Sequence, residues 1–227
     1  MTISRMTLYS GPLSMFGAKV QIAALEKGLD FDLIMVPYDS ARGYDPKHPE
    51  VLRINPKRQV PVLTHGPVEI FDSTQIFEYL EDMAPTPALW PRDPIARAAA
   101  RNLEHQSDEV YFPHIIKLMG LQDALATDPA VAAIEGANRF YAAMERRLEA
   151  DWLAGSYSFA DIAFYMAALF GERQGAPLTA GTPRLLAWRE RMGQRAPVIS
   201  VVSAMAAWLK SAGRPVPAFM FALQTSK

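Results

Sequence analysis

The sequence predicts two units in series: a mixed α/β domain over residues 1–84 and an all-α domain over 95–227, with a linker at 85–94. Three observations predict this. Strand and helix signals alternate through the first third of the chain, strand signals nearly vanish after residue 94, and the stretch between them is dense in proline (85, 87, 91 and 94). A chain of 227 residues is long enough for a sizeable core.

Residues 6–9 read as a short strand and 10–14 as a turn. Phe16, Val20, Ala23 and Ala24 recur at helical spacing over 16–27, and Gly28 follows as the residue that ends the helix. Residues 31–36 form a second strand, parallel to the first through a right-handed crossover. A loop rich in Asp, Gly and Pro spans 38–49, and 50–54 forms a short helix before Asn55-Pro56. Strands at 62–64 and 68–71 join through Gly66-Pro67. The helix over 74–83 then carries Ile76, Phe77, Leu80 and Met83 on one face.

Beyond the linker, helices are predicted over 95–118, 129–153, 158–170, 184–196 and 198–212. Residues 198–202 have strand propensity, but a lone strand in a helical domain has no partner. Pro113 is expected to kink its helix and open a groove. Ser158-x-x-Asp161 has the form of a capping box, with Asp161 expected to be buried against backbone amides.

Composition narrows the function. Hydrophobic residues make up 50% and charged residues 21%, ordinary values for a globular chain. The formal net charge of -1 gives no broad attraction to nucleic acid or to an anionic membrane. The apolar run at 159–170 is interrupted by Asp161 and too short to cross a bilayer. Residues 1–5 carry no apolar signal core, so a cytoplasmic location is expected. The absence of cysteine excludes disulfides, Cys-based zinc sites and intrinsic thiol redox chemistry. The four histidines are scattered without metal-ligand spacing, and no metal is expected.

Residues 59–73 are the most informative stretch. Proline has no N–H for a sheet ladder, so Pro61 marks where a strand begins and leaves the backbone of Val60 free to pair with something else. Asp72-Ser73 opens a helix, where free amides and the helix dipole attract a carboxylate. A strand-like docking edge beside an anion pocket with an adjacent acid suits a small peptide bearing a free α-amino-acid end.

Four groups of residues carry a resemblance that covers essentially the whole chain. The first is Leu8-Tyr9-Ser10, Ser14, Lys19-Val20-Gln21-Ile22-Ala23 and Lys27-Gly28; the second is Ile54-Asn55-Pro56 with Gln59-Val60-Pro61-Val62-Leu63. The third is Asp72-Ser73, Ile76 and Glu78-Tyr79-Leu80, and the fourth is Leu153-Ala154-Gly155 with Ser158-Phe159-Ala160-Asp161-Ile162-Ala163. In this order the chain resembles the cytosolic glutathione S-transferase family, and more narrowly a theta- or zeta-like bacterial member with serine at the activating position. The resemblance implies a thioredoxin-like N-terminal domain, a helical C-terminal domain, glutathione as co-substrate and a homodimer.

It further implies that Ser14 activates the glutathione thiol. A hydroxyl donor at the positive end of a helix stabilises a thiolate and lowers its pKa. Serine at this place also reads as a helix N-cap, and Ser10 and Tyr9 stand as alternative donors. For glutathione the resemblance implies Val60 pairing with the cysteinyl backbone, a cis Pro61, and Asp72 and Ser73 on the γ-glutamyl end. Gln59 and Lys47 are expected near the glycyl carboxylate. A small hydrophobic electrophile is expected between the domains, against Met15, Phe16, Tyr111, Phe112, Ile115 and Met119. A non-catalytic glutathione-fold protein, or a glutathione-dependent peroxidase, isomerase or dehalogenase, is the alternative. The chain has Ser14-Met15-Phe16 where the zeta-like class has a Ser-Ser-Cys run, and the lack of cysteine disfavours mixed-disulfide chemistry.

Overall fold

The computed structural model describes residues 5–39, 42–44 and 47–222, so positions 40–41 and 45–46 of the expected 38–49 loop lie outside the described residues. Strands β1 (Met6–Ser10), β2 (Phe31–Met35), β3 (Val62–His65) and β4 (Val68–Phe71) form one sheet in the order β2-β1-β3-β4. β1 runs parallel to β2 and antiparallel to β3, with Tyr9 opposite Val62 and Leu8 opposite Leu63. The pleat sends Met6, Leu8 and Leu63 to one face. There they pack on Val20 and Ala24 of α1 (Met15–Glu26) and on Ile76 and Leu80 of α3 (Ser73–Met83). Tyr9 and Val62 point to the other face, against Val36 and Val51 of α2 (Pro49–Ile54).

Helix α1 ends as its glycine predicts. Gly28 sits at φ 64° and donates to Leu25 O at 3.0 Å, while Leu29 N donates to Ala24 O, closing a Schellman motif. Most of α1 is buried, because α3 lies on one side of it and helices of the second domain on others. The helical domain comprises α4 (Pro94–Gln106), α5 (Phe112–Met119), α6 (Asp128–Arg147), α7 (Phe159–Arg173), α8 (Pro183–Gly193), α9 (Ala196–Ser211) and α10 (Ala218–Ala222). Helix α7 is its buried centre. Asp161 accepts from Leu153 N and Ser158 N at 2.9 Å and from Trp188 Nε1 at 3.0 Å. Burial pushes its carboxyl up to about 6 although these donors favour the ionised form.

The helical domain differs from the sequence reading in three places. The expected helix over 95–118 is α4 and α5 joined by a π-helical turn at Ser107–Tyr111, with Pro113 in the first turn of α5. Proline has no N–H for the carbonyl four residues back, so the wider turn falls where that carbonyl loses its donor. Helix α6 stops at Arg147 rather than running to 153, and α10 was not expected.

The linker is pinned rather than slack. Lys27 Nζ donates to Ala84 O at 2.7 Å and Pro87 O at 3.0 Å, and pairs with Glu81. Glu81 in turn accepts from the amides of Leu89 and Trp90. The Phe77 ring stacks on Phe159 of α7 with centroids 3.7 Å apart, and Trp90 meets both rings edge-on. These contacts fix α3 against α7 and so fix the two walls of the cleft between the domains.

Candidate active site

Two adjoining clefts open between the α/β sheet and the helical domain, and Phe16, Gln59 and Val60 line both. One, about 360 Å³, is polar; the other, about 290 Å³, is mostly apolar.

The polar cleft brings together Gln59, Val60, Pro61, Asp72 and Ser73. The Val60–Pro61 peptide is cis. Asn55 Nδ2 donates to Gln59 O at 2.6 Å, and Lys57 N donates to Asn55 Oδ1 at 2.9 Å, so the turn after α2 holds the segment that presents Val60. Sheet pairing starts only at Val62, and the Val60 backbone makes no hydrogen bond among the described residues. Asp72 caps α3: its Oδ1 accepts from Thr74 N at 3.0 Å and Gln75 N at 3.4 Å. It does so at φ 78°, a backbone region that a residue with a Cβ occupies only under strain. With those two amides taken, the Ser73 amide and hydroxyl are left without a partner among the described residues.

The floor of this cleft carries groups that sequence reasoning did not single out as ligands. Lys19, wholly buried on α1, donates to Glu104 Oε1 at 2.7 Å and to Asp108 Oδ2. Thr74 Oγ1 donates to the same Glu104 oxygen at 2.7 Å. Two carboxylates share one ammonium, which leaves one negative charge in excess. Asp108 Oδ1 is buried with no partner among the described residues. Burial pushes the Asp108 carboxyl up to about 6, and the Glu104 and Asp72 charges add to the shift against the pull of Lys19. Burial alone would lower the Lys19 ammonium, but Asp108 and Glu104 outweigh it and hold that ammonium above its ordinary value. A charged residue inside the apolar face of α1 was the available signal. Its partners lie 85 and 89 positions away and could not be read from spacing.

Ser14 caps α1 and lines the apolar cleft. Its Oγ accepts from Gly17 N at 2.9 Å. A hydroxyl that accepts one bond keeps its own proton to donate, so capping and donation are compatible. Of the alternatives, Ser10 is fully buried and accepts from Gln21 Nε2 at 2.9 Å. Tyr9 packs beneath α2 against His48, and burial raises its phenol pKa. Neither lines either cleft.

Met15, Phe16, Phe112 and Met119 line the apolar cleft, with Phe16 edge-on to Phe112 at 5.4 Å between centroids. Tyr111 and Ile115 do not, which corrects the expectation for both. Each is fully buried in the helical core, and the Tyr111 hydroxyl bonds to that of Tyr141. The stripe facing the cleft is Phe112, Ile116 and Met119, one residue out of phase with the stripe facing the core, Tyr111, Ile115 and Leu118. Lys47 also lines the apolar cleft, with His48 and Arg58. His48 Nδ1 accepts from Glu50 N at 3.2 Å as the cap of α2, which places the ring proton on Nε2. Tyr44, absent from the sequence reading, lines the apolar cleft, and its hydroxyl accepts from Leu13 N at 3.1 Å. Among the described residues no cluster of His, Cys, Asp and Glu is arranged to hold a metal ion, and no helix is long and apolar enough to cross a membrane.

Family models match both parts of the chain: the glutathione S-transferase N-terminal domain over residues 8–88 and the C-terminal domain over 111–196. The chain is 33% identical over 166 residues to glutathione S-transferase 1 of Dianthus caryophyllus, a match covering 69% of this chain and 70% of that protein. It is 34% identical over 118 residues to a stringent starvation protein A homolog of Coxiella burnetii, spanning only about half of each: 51% of this chain and 52% of that one. Glutathione transferase F2 from Populus trichocarpa shares the fold at a TM-score of 0.76 and 22% identity, over 89% of this chain and 99% of that structure.

Proposed function

This chain belongs to the glutathione S-transferase family, and we propose from that premise that it binds glutathione across the two clefts and adds its thiolate to a small hydrophobic electrophile. The observation that carries the proposal is the change of character between two adjoining clefts that share Phe16, Gln59 and Val60. Its acidic end has an excess negative charge at Lys19, Glu104 and Asp108 and a free amide and hydroxyl at Ser73. That end suits the ammonium and carboxylate of a γ-glutamyl group. The unpaired backbone of Val60 suits the cysteinyl part. Gln59 and Lys47 stand toward the other end, where a glycyl carboxylate would lie.

The thiol in this pose faces Ser14. A free thiol is mostly protonated at neutral pH, and the thiolate is the nucleophile. The Ser14 hydroxyl donates to the sulfur while accepting from Gly17 N, and the positive end of α1 adds to the same effect. Met15, Phe16, Phe112 and Met119 offer the electrophile an apolar surface, and Phe16 bridges the two clefts. A homodimer is part of the proposal, and the exposed Ile95 and Val110 supply apolar surface for it.

Calorimetry with glutathione, followed by turnover of aryl halides, isothiocyanates, hydroperoxides and maleyl compounds, tests the reading. The expected result is saturable binding of glutathione and conjugation of at least one of these electrophiles. Absence of glutathione binding would overturn it.

A further inference from the structure

A third cleft, of about 390 Å³, opens between the β1–α1 turn, the end of β2 and α9. It shares Val36 with the apolar cleft and nothing with the polar one. Gly11 and Pro12 line it, whereas Leu13 and Ser14 line the apolar cleft, so one short turn walls both. Its walls are apolar, with Pro12, Met35 and Met205, and one is aromatic: Trp208 meets Tyr38 edge-on with centroids 5.6 Å apart. Among the described residues no charged side chain lines it.

Gln21 of α1 brings an amide to this cleft while keeping only 5% of its surface. Its Nε2 donates to Ser10 Oγ at 2.9 Å and is thereby used. Its Oε1 has no partner among the described residues, yet it is not sealed within the protein. The little surface that Gln21 keeps therefore includes this oxygen and opens on the cleft. A lone acceptor between apolar walls calls for an O–H or N–H donor.

We propose that this cleft is a further ligand site, for a neutral, flat aromatic compound carrying one O–H or N–H donor. The ring lies along Trp208 and the apolar side chains, and the donor meets Gln21 Oε1. An uncharged lining suits a neutral compound, since an ion held there would lack a counter-charge. The acceptor favours a donor over a hydrocarbon of the same shape, which would strip Oε1 of water and return no hydrogen bond. The site stands apart from the transferase reading, and its ligand and glutathione are expected to bind together.

The test is calorimetric titration with 1-naphthol of protein saturated with S-hexylglutathione, which keeps the two clefts of the transferase reading filled. One naphthol is expected to bind per chain, and no binding would overturn the inference. 1-Methoxynaphthalene keeps the rings but lacks the donor, and is expected to bind about 5- to 50-fold more weakly. Equal affinities would overturn the proposed ligand class. Ala204 is exposed on α9 and lines this cleft but neither of the other two, so Ala204→Trp fills it from outside. That variant is expected to lose naphthol and keep S-hexylglutathione, and unchanged naphthol affinity would contradict the site. Should it fail to fold, Trp208→Ala is expected to weaken naphthol about tenfold or more, and unchanged affinity there would contradict the site equally. Naphthol binding that Ala204→Trp abolishes, in a protein that ignores S-hexylglutathione, supports this site and overturns the transferase reading alone.

Discussion

Lys19 Nζ donates to Glu104 Oε1 at 2.7 Å with both side chains out of solvent, tying α1 of the α/β domain to α4 of the helical domain. Lys19→Met leaves Glu104 and Asp108 as buried charges without a counter-ion. Removing one partner of a buried ion pair costs ~3–5 kcal/mol, and a loss of that size is expected in urea or thermal unfolding. The triple variant Lys19→Met, Glu104→Gln, Asp108→Asn removes every charge of the group and is expected to recover most of the loss. A single variant as stable as wild type would show that the trio does not hold the domains together.

Asp108 predicts a pH dependence. Burial raises its folded-state pKa to about 6 from the ordinary 3.8, so the folded protein binds this proton more tightly than the unfolded chain. Its contribution to stability is therefore fully present below about pH 4 and is lost as the pH rises through about 6. Asp108→Asn removes that dependence, so the stability decline across this window is expected to become shallower. Asp161, raised to the same range, remains as a common background. Urea midpoints measured from pH 4 to 7 that fall in parallel for both proteins would contradict this.

Asp72 Oδ1 caps α3, and the proposed glutathione pose also sets its charge beside the γ-glutamyl ammonium. Asp72→Asn keeps a capping oxygen and loses the charge, so glutathione affinity is expected to fall by ~1.5–3 kcal/mol with little change in stability. Asp72→Ala is expected to lose a further ~1 kcal/mol of stability. Unchanged affinity in both variants, measured by calorimetry, would remove Asp72 from the proposed γ-glutamyl subsite.

The homodimer is tested by light scattering. A particle of twice the 25.2 kDa chain mass is expected at micromolar concentration. A 25.2 kDa particle would refute it.

Local signals carried most of the fold into the sequence. Gly28, Pro61, Asp72 and Ser158-x-x-Asp161 each fix a turn or a helix end through chemistry confined to a few residues, and the structure has each feature where it was expected. What the sequence hid depends on distance or on phase. Lys19 revealed a need for a partner but not which carboxylates meet it, since those lie on another domain. Tyr44 sits in a loop without periodicity, and only the folded path over Gly11 brings it to Ser14's turn. Tyr111 and Ile115 have the right spacing for a cleft stripe. After the π-helical turn, however, the residues facing the cleft are Phe112 and Ile116.

The central claim is that the Ser14 hydroxyl stabilises the bound thiolate. The direct measurement is the pKa of enzyme-bound glutathione, from ultraviolet titration of the thiolate band in wild type and Ser14→Ala. Ser14→Ala is expected to raise that pKa and to slow turnover 10- to 100-fold, the equivalent of a charged hydrogen bond worth ~1.5–3 kcal/mol, with glutathione affinity little changed. A variant that only unfolds more easily, by the ~1 kcal/mol of a lost cap, while its bound thiol titrates where it does in wild type, would contradict the claim and leave Ser14 as the cap of α1 alone.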